Sequence, residues 1–146
     1  MDSTYIPKYS KSHYEKMMGK ITSIKNFDGY LVKMDNEFEL GNIKGGKVRQ
    51  CISIVHQNLD RIKNEFNGGI ITGCGLPSPQ STIVSSVGKY FGLKSIIVCP
   101  MYDNSKVDYN RINVSLSQKL GSKIYGVGNP NPSGYGRDVK ELKKEY

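Results

Sequence analysis

The stretch "FNGGIITGCGLPSPQSTIVSSVGKYFGLKSIIVCP", residues 66–100, contains two short apolar runs separated by a loop and an amphipathic segment. The runs, 70–72 and 95–99, lack the alternation of apolar and polar residues that half-exposed strands show, so they predict buried strands. The segment 79–91 between them predicts a helix that Gly92 ends. Strand, helix and strand in this order predict a parallel pair joined by a right-handed crossover.

The same unit of helix, glycine and strand occurs on both sides of this stretch. Upstream, the apolar residues of 48–66 are spaced by three and four, which predicts one helical face ended by the glycines of 67–69. Downstream, a helix over about 106–120 is followed by Gly121 and a strand at 123–127. Three such units predict an α/β three-layer sandwich, in which helices flank a small parallel sheet.

The ends of the chain carry weaker patterns. We expect a strand at 29–35 with a loop after it, and a polar arm at 1–20 that is loosely held. A loop rich in glycine and proline at 126–136 leads into an amphipathic helix that the last residue interrupts. We interpret this ending as a cut inside an element.

Composition excludes several classes of protein. A chain of 146 residues suits one domain with a buried core. No apolar run is long enough to span a membrane, and the N-terminal 20 residues contain no apolar segment typical of a secretory signal. The three cysteines are far apart and form no CxxC pair, which argues against a zinc site and a disulfide framework and favours a cytoplasmic location.

The formal charge of +8 is spread along the chain. No dense basic block with interleaved aromatic residues occurs, so we interpret the lysines as solvated faces. Nucleic-acid binding is a weak alternative that rests on charge alone.

The loop "TGCGLPSPQST", residues 72–82, leaves a predicted strand at its carboxyl end, where parallel α/β sheets bind ligands. Ser78 is placed to cap the following helix, with Pro79 at the first helical position. The free N–H groups of such a helix start attract an anion, and Gly75 lets it approach the backbone. The alternative is an ordinary turn whose serine only caps the helix. Neutral donors of this predicted carboxylate or phosphate site belong to Ser78, Gln80 and Ser81.

Two nucleotide-binding motifs are disfavoured. "GCGLPS" has serine where a dinucleotide-binding loop has its third glycine, and no acidic residue closes the next strand. "GNIKGGKV" has valine where a P-loop has serine or threonine.

Lys47 follows two glycines in "LGNIKGGKVRQC", residues 40–51, at the start of a predicted helix. The positive end of the helix dipole and partial burial would both favour the neutral amine, which attacks carbonyl groups. Gly45 and Gly46 would leave room for a flat ring beside the backbone. The alternative is a surface lysine that happens to begin a helix.

The span from about 29 to 127 resembles the fold-type II pyridoxal-phosphate enzymes, and is most similar to the 1-aminocyclopropane-1-carboxylate deaminase and D-cysteine desulfhydrase branch. "YLVKMDNEFELGNIKGGKVRQ" is similar to that branch's strand, turn and Gly-Gly-Asn-Lys-x-Arg segment. "ITGCGLPSPQSTIVSSVGKYFGLKSIIV" is similar to its strand, Gly-Gly-x-Gln-Ser-Asn loop and helix. "MYDNSKVDYNRINVSLSQKLGSKIYGV" is similar to its next helix and strand.

The resemblance implies roles for several residues. Lys47 falls on the family's Schiff-base lysine with Gly46 beside the pyridoxal 5'-phosphate, and Arg49 falls on the arginine that follows. Ser78 falls on a catalytic, substrate-contacting serine. The chain departs from the family at Pro79, where an asparagine contacts the cofactor ring. Substrate-binding positions would be Gly75, Ser78, Gln80 and Ser81.

The resemblance also implies a division of the chain. Residues 1–46 would be an N-terminal arm and strand of an incomplete large domain, 47–127 a small α/β domain, and 128–146 a loop and truncated helix. The family's phosphate-binding loop and the residue facing the pyridine nitrogen lie in its second half, beyond the part that this chain resembles.

The function that this resemblance implies is Schiff-base chemistry on a small amino acid, by the N-terminal part of a lyase or deaminase. A homo-oligomer or a complementary second half would be its protein partner. The alternative is a non-catalytic or degenerate α/β binding domain that keeps the anion-binding helix start.

Overall fold

A computed structural model of the protein describes residues 4–101, 107–128 and 139–140. In these residues the chain is mixed α/β. The α-helices are α1 (Lys11–Met18), α2 (Gly46–Gln57), α3 (Leu59–Glu65), α4 (Gln80–Phe91) and α5 (Ile112–Lys119). The strands are β1 (Ile24–Phe27), β2 (Tyr30–Lys33), β3 (Glu39–Leu40), β4 (Ile43–Lys44), β5 (Gly69–Gly73), β6 (Lys94–Pro100) and β7 (Lys123–Val127). A single 3-10 turn, Asp35–Glu37, lies between β2 and β3.

The main sheet consists of β5, β6 and β7 in that order, and both pairs are parallel. Ile97 on the central strand lies opposite Thr72 on one side and Ile124 on the other. This confirms the predicted small parallel sheet. The crossover helices α4 and α5 contact each other, so they share one face of the sheet. The three-layer arrangement, with helices on both faces, stays a prediction.

The predicted helix over 48–66 is wrong as a single element, because it breaks at Asn58 between α2 and α3. The Asn58 side-chain Nδ2 donates to the Ile54 carbonyl at 2.8 Å, and its φ of −114° is not helical. Asparagine competes with helical hydrogen bonds in this way. The apolar spacing continues across the break because Leu59 and Ile62 pack against the same cluster as α2.

The helix predicted over about 106–120 begins later, at Ile112. Residues 102–106 lie outside the described residues, as do 129–138 and 141–146. The predicted glycine-rich loop from residue 129 on and the predicted C-terminal helix fall on those segments.

The region predicted as one strand and a loop contains two antiparallel hairpins instead. In the first, β1 pairs with β2 through a turn at Asp28 and Gly29, whose φ angles are 51° and 89°. Two consecutive positive φ angles suit an Asp-Gly hairpin turn. The second hairpin pairs β3 with β4.

The expectation of a loosely held arm is wrong for the described part of residues 1–20. Ile6 is buried, and the Tyr9 N–H donates to the Tyr90 carbonyl of α4 at 2.9 Å. Ser10 caps α1 by accepting from the His13 N–H at 3.2 Å. The arm is therefore docked on α4.

One hydrophobic cluster joins this arm to the helices. The cluster contains residues from both sides of position 46, where the sequence predicts a domain boundary. The division into domains stays a prediction. The buried members of the cluster are Ile6, Phe38, Leu40, Val48, Ile52, Val55, Ile83, Val87, Tyr90, Phe91, Leu93 and Leu120.

Helices α2 and α4 pack against each other. The ring of His56, near the end of α2, lies 6.3 Å from the ring of Phe91 at the end of α4. Tyr9 packs on both, with centroid distances of 6.0 Å and 4.9 Å. Each helix has 12 residues, a length of ~18 Å. From the shared end and the equal length we infer that the two helices run in the same direction, with their first turns at the same end of the pair.

Within the described residues, no helix combines the length and apolar character that a membrane span needs.

Candidate functional site

The loop between β5 and α4 is held at three points. The Cys74 N–H donates to the Val98 carbonyl at 2.9 Å, which continues the sheet beyond β5. The Ser78 N–H donates to the Gly75 carbonyl at 2.9 Å and closes a turn. The Asn113 side chain, on α5, donates to the Pro77 carbonyl at 2.8 Å. The loop is therefore fixed at the carboxyl end of the sheet.

Helix α4 begins at Gln80, with Pro79 as its N-cap residue, one position later than predicted. Pro79 already has helical angles, and its carbonyl accepts the Ile83 N–H at 3.0 Å. The Ser78 hydroxyl accepts the Gln80 N–H at 3.2 Å. Ser78 thus satisfies one free N–H of the helix start, as the sequence predicts, from one residue further back.

The three predicted side-chain donors of this loop differ in availability. The buried Ser81 hydroxyl donates to the Ser78 carbonyl at 3.2 Å. The Gln80 amide donates to the Thr72 hydroxyl at 2.6 Å. The half-buried Ser78 hydroxyl accepts one bond and has no described acceptor for its own proton. Ser78 is therefore the donor that a ligand could take without breaking a bond within the described residues.

Gly75 is half-buried, and a Cβ built on it would meet only the Pro77 Cδ, at 3.7 Å. That is ordinary contact, so the local structure does not require glycine there. The predicted role of Gly75, to leave space for a ligand beside the backbone, stays a prediction.

The sequence prediction missed three side chains that shape this loop. Thr72 accepts from the Gln80 amide, the Asn113 side chain donates to the Pro77 carbonyl, and Cys74 lies near Ser81 in the first turn of α4. Burial raises the pKa of the Cys74 thiol, and hydrogen bonds from Ser81 partly offset the rise. The signal for Thr72 and Cys74 was their position at the carboxyl end of a predicted strand.

The start of α2 is built by two glycines with local structural reasons. Gly45, the N-cap residue, has φ 122° and ψ 163°, a region that is essentially confined to glycine. Its N–H donates to the Phe38 carbonyl at 2.8 Å. A Cβ on Gly46 would come within 3.3 Å of the Asp35 Cβ. Gly45 is explained by the turn into α2, and Gly46 by the close approach of the Asp35 side chain, which takes up the space that the sequence predicts for a ring at that position.

Lys47 itself is exposed, so the expectation of its partial burial is wrong for the described chain. Its amine makes no hydrogen bond or ion pair with any described residue. The neighbouring Lys44, also exposed, pairs with Glu39 at 3.6 Å. Lys47 is thus accessible to a ligand.

Asp35 places a carboxylate beside the start of α2. Its Oδ1 accepts from the Thr22 hydroxyl at 3.0 Å and lies 3.3 Å from the Lys33 Nζ. The Thr22 hydrogen bond, with smaller contributions from Lys33 and Arg49, lowers the pKa of this carboxyl below its usual value. A negative charge is favourable at a helix start. Helix α4, by contrast, has no acidic residue in its first turn.

Arg49 ties α2 to the segment after α1. Its Nη1 and Nη2 donate to the carbonyls of Met18 at 3.3 Å and Lys20 at 3.1 Å. Its guanidinium carbon lies 4.2 Å from the centre of the Phe38 ring. These contacts give Arg49 a structural role.

The described residues contain no group of three or more His, Cys, Asp or Glu side chains that could hold a metal ion. Searches against protein-family models and against curated protein sequences find no match for this chain.

Proposed function

We propose that this chain is the N-terminal part of a fold-type II, pyridoxal-phosphate-dependent enzyme of the lyase or deaminase kind, with a small amino acid as substrate. The observation that supports it is the parallel packing of α2 and α4. This packing puts the helix start that carries Lys47 and the helix start that carries Ser78 at one end of the pair. From this part of its chain, such an enzyme needs an amine and a carboxylate-binding loop at the same end of the helix pair.

In this proposal Lys47 would hold the cofactor through its exposed amine and would move the substrate's α-proton. Gly46 would lie beside the cofactor ring. When bound, pyridoxal phosphate supplies the electron sink. The family's three-layer sandwich would complete the architecture around the small parallel sheet.

The substrate carboxylate would bind at the start of α4. Ser78 donates its hydroxyl proton, and the backbone N–H groups and dipole of the first turn favour the negative charge. Gly75 lets the carboxylate approach. Gln80 and Ser81 act by holding the loop, through Thr72 and through the Ser78 carbonyl.

The described residues fit one part of the cofactor. The Lys47 amine is accessible, but Pro79 offers neither a side-chain donor nor an N–H to a ring oxygen. The groups for the phosphate and the ring nitrogen would come from the family's second half. We therefore expect the chain alone to bind the cofactor weakly.

Reductive trapping tests the role of Lys47. The chain is incubated with pyridoxal phosphate, reduced with borohydride and digested, and the pyridoxyl group on each lysine is quantified by mass spectrometry. Lys63 is the matched control, because it is exposed and, like Lys47, forms no ion pair with a described residue. We expect labelling of Lys47 to exceed that of Lys63 several-fold. Equal labelling of the two would contradict the proposal.

A second candidate function is a non-catalytic α/β domain that binds a small anion at the start of α4. The exposure of Lys47 and the presence of Pro79 favour it. Titration with a small carboxylate, followed by NMR, separates the two functions. Binding that Ser78→Ala weakens while Lys47 traps no cofactor would favour the binding domain.

A further inference from the structure

Two of the three cysteines lie opposite each other at the carboxyl end of the sheet. Gly73 pairs with Val98 in the parallel register of β5 and β6, and the Cys74 N–H to Val98 bond continues that ladder by one residue. Cys74 therefore lies next to Cys99. Neighbouring strands are ~4.8 Å apart, which is within the Cα separation that a disulfide spans.

Both side chains are on the face of the sheet that α4 and α5 cover. Ile70 and Ser95 face Gly88 of α4, since both come within 3.4 Å of a Cβ built there. Cys74 and Cys99 are each four residues further along the same two strands. Because side chains alternate along a strand, an even spacing keeps them on that face.

Independent contacts agree with this placement. Ser81, in the first turn of α4, lies close enough to Cys74 to offset part of the rise in the pKa of its thiol. Cys99 packs with Val114 of α5 and with Leu76 of the loop. The Cys99 thiol donates a long bond of 3.7 Å to the Tyr125 carbonyl, which a rotation about χ1 would release.

We propose that Cys74 and Cys99 are a redox pair that forms a disulfide when the protein meets a hydroperoxide. The Cys74 thiolate attacks the terminal peroxide oxygen, the O–O bond breaks, and the alcohol or water leaves with a proton. The resulting sulfenic sulfur of Cys74 is attacked by Cys99, and the S–S bond forms as water leaves. Two thiols are oxidised, one hydroperoxide is reduced, and no further reactant is needed.

Cys74 is the attacking thiol because it is the more exposed of the two, 6% against 1% for Cys99, and lies where β5 leads into the loop. Burial raises the pKa of both thiols, that of Cys99 to about 11. Oxidation is therefore slow at neutral pH and accelerates as the pH rises. The bond would fasten the base of the loop that carries Ser78 to the central strand. This inference does not depend on the proposed function.

Peptide mapping of the oxidised native chain tests the pair. The protein is treated with hydrogen peroxide, unfolded, alkylated and digested with trypsin. Cleavage after Lys63, Lys89, Lys94 and Lys106 leaves Cys74 and Cys99 in separate peptides, 64–89 and 95–106. We expect these two peptides to be joined, with a mass lower than their sum by two hydrogen atoms, and to separate on reduction.

Cys51 provides the matched control, because burial raises its pKa to about 11 as well and it lies on α2. Cys51→Ser should leave the 74–99 bridge unchanged, and protein oxidised in urea should give mixed pairs. Recovery of Cys74 and Cys99 as alkylated thiols after native oxidation, or a bridge that includes Cys51, would overturn the proposal. Pyridoxal phosphate is absent from this experiment, so its result is separate from the trapping of Lys47.

Discussion

The two helix starts at the proposed site are built differently. The start of α2 has a glycine cap, an exposed lysine and the Asp35 carboxylate beside it. The start of α4 has a serine that bonds its first N–H, no acidic residue in the first turn, and buried hydroxyls that hold the loop. The difference shows that the Asp35 carboxylate lies beside the positive end of α2, whereas the first turn of α4 contains no acidic residue. In the proposed site this favours the start of α4 for the anion, and Lys47 would be a charge of opposite sign.

The largest expected effect comes from separating the two helices. Ile52, on the buried face of α2, is fully buried, whereas Ile54 on the same helix is 62% exposed. We expect Ile52→Ala to lower the free energy of unfolding by about 2–5 kcal/mol, because it leaves a cavity in the core. Ile54→Ala should change it by less than about 0.5 kcal/mol. Urea denaturation measures both, and similar losses would show that α2 does not pack on α4 as described.

A smaller effect is expected at the α2 cap. Gly45→Ala forces a side chain into a backbone region at φ 122° and should cost about 1–3 kcal/mol of stability. Gly75→Ala is the control at the other helix start, because its new Cβ has only an ordinary contact. We expect thermal unfolding to show a clear loss for the first variant and little change for the second. A loss at Gly75 as large as at Gly45 would mean that the loop is strained.

Removing the side-chain cap of α4 should lower the free energy of unfolding by less than the change at the α2 cap. Ser78→Ala removes the acceptor of the Gln80 N–H and should lower the free energy of unfolding by about 1 kcal/mol. Ser10→Ala, which removes the equivalent bond at α1, is a matched cap control. Carboxylate binding followed by NMR should weaken in Ser78→Ala and not in Ser10→Ala. Equal binding by both variants would remove Ser78 from the site.

The smallest effect is the pH dependence set by Asp35. Its pKa is lowered from 3.8 in the folded chain, so its contribution to stability is present above 3.8 and is lost as the pH falls through the folded pKa. We expect wild type to melt at a higher temperature than Asp35→Asn near neutral pH, with the gap closing below pH 3.8. Because Asp35 is solvent-accessible, salt should reduce the gap. A gap that is constant with pH would argue against a charge effect.

The sequence predicted the parts of the fold that depend on local spacing. Glycine caps and short apolar runs located β5, β6, β7 and the end of α4, because both signals arise from residues close in sequence. The same spacing could not reveal the break at Asn58, since the apolar face continues across it. The β1–β2 hairpin was missed although Asp28 and Gly29 carry its turn signal.

The candidate site was less predictable, since it depends on contacts between distant segments. The Asp35 carboxylate beside Gly46 follows from how the segment between the two hairpins lies against the start of α2, and β3 also contacts that helix. No local pattern encodes these contacts or the exposure of Lys47. The docking of Tyr9 on α4 is another such contact, between residues about 80 positions apart. Ser78 was predictable because capping is local.

The account depends most on the two helix starts sharing one end of the α2–α4 pair. A nitroxide attached at Lys47→Cys, in a background in which Cys51, Cys74 and Cys99 are replaced by serine, tests this directly through the line broadening of backbone amides in NMR spectra. The account predicts strong broadening at residues 75–81 and weak broadening at residues 92–94, ~18 Å away along α4. Stronger broadening at residues 92–94 than at residues 75–81 would contradict it.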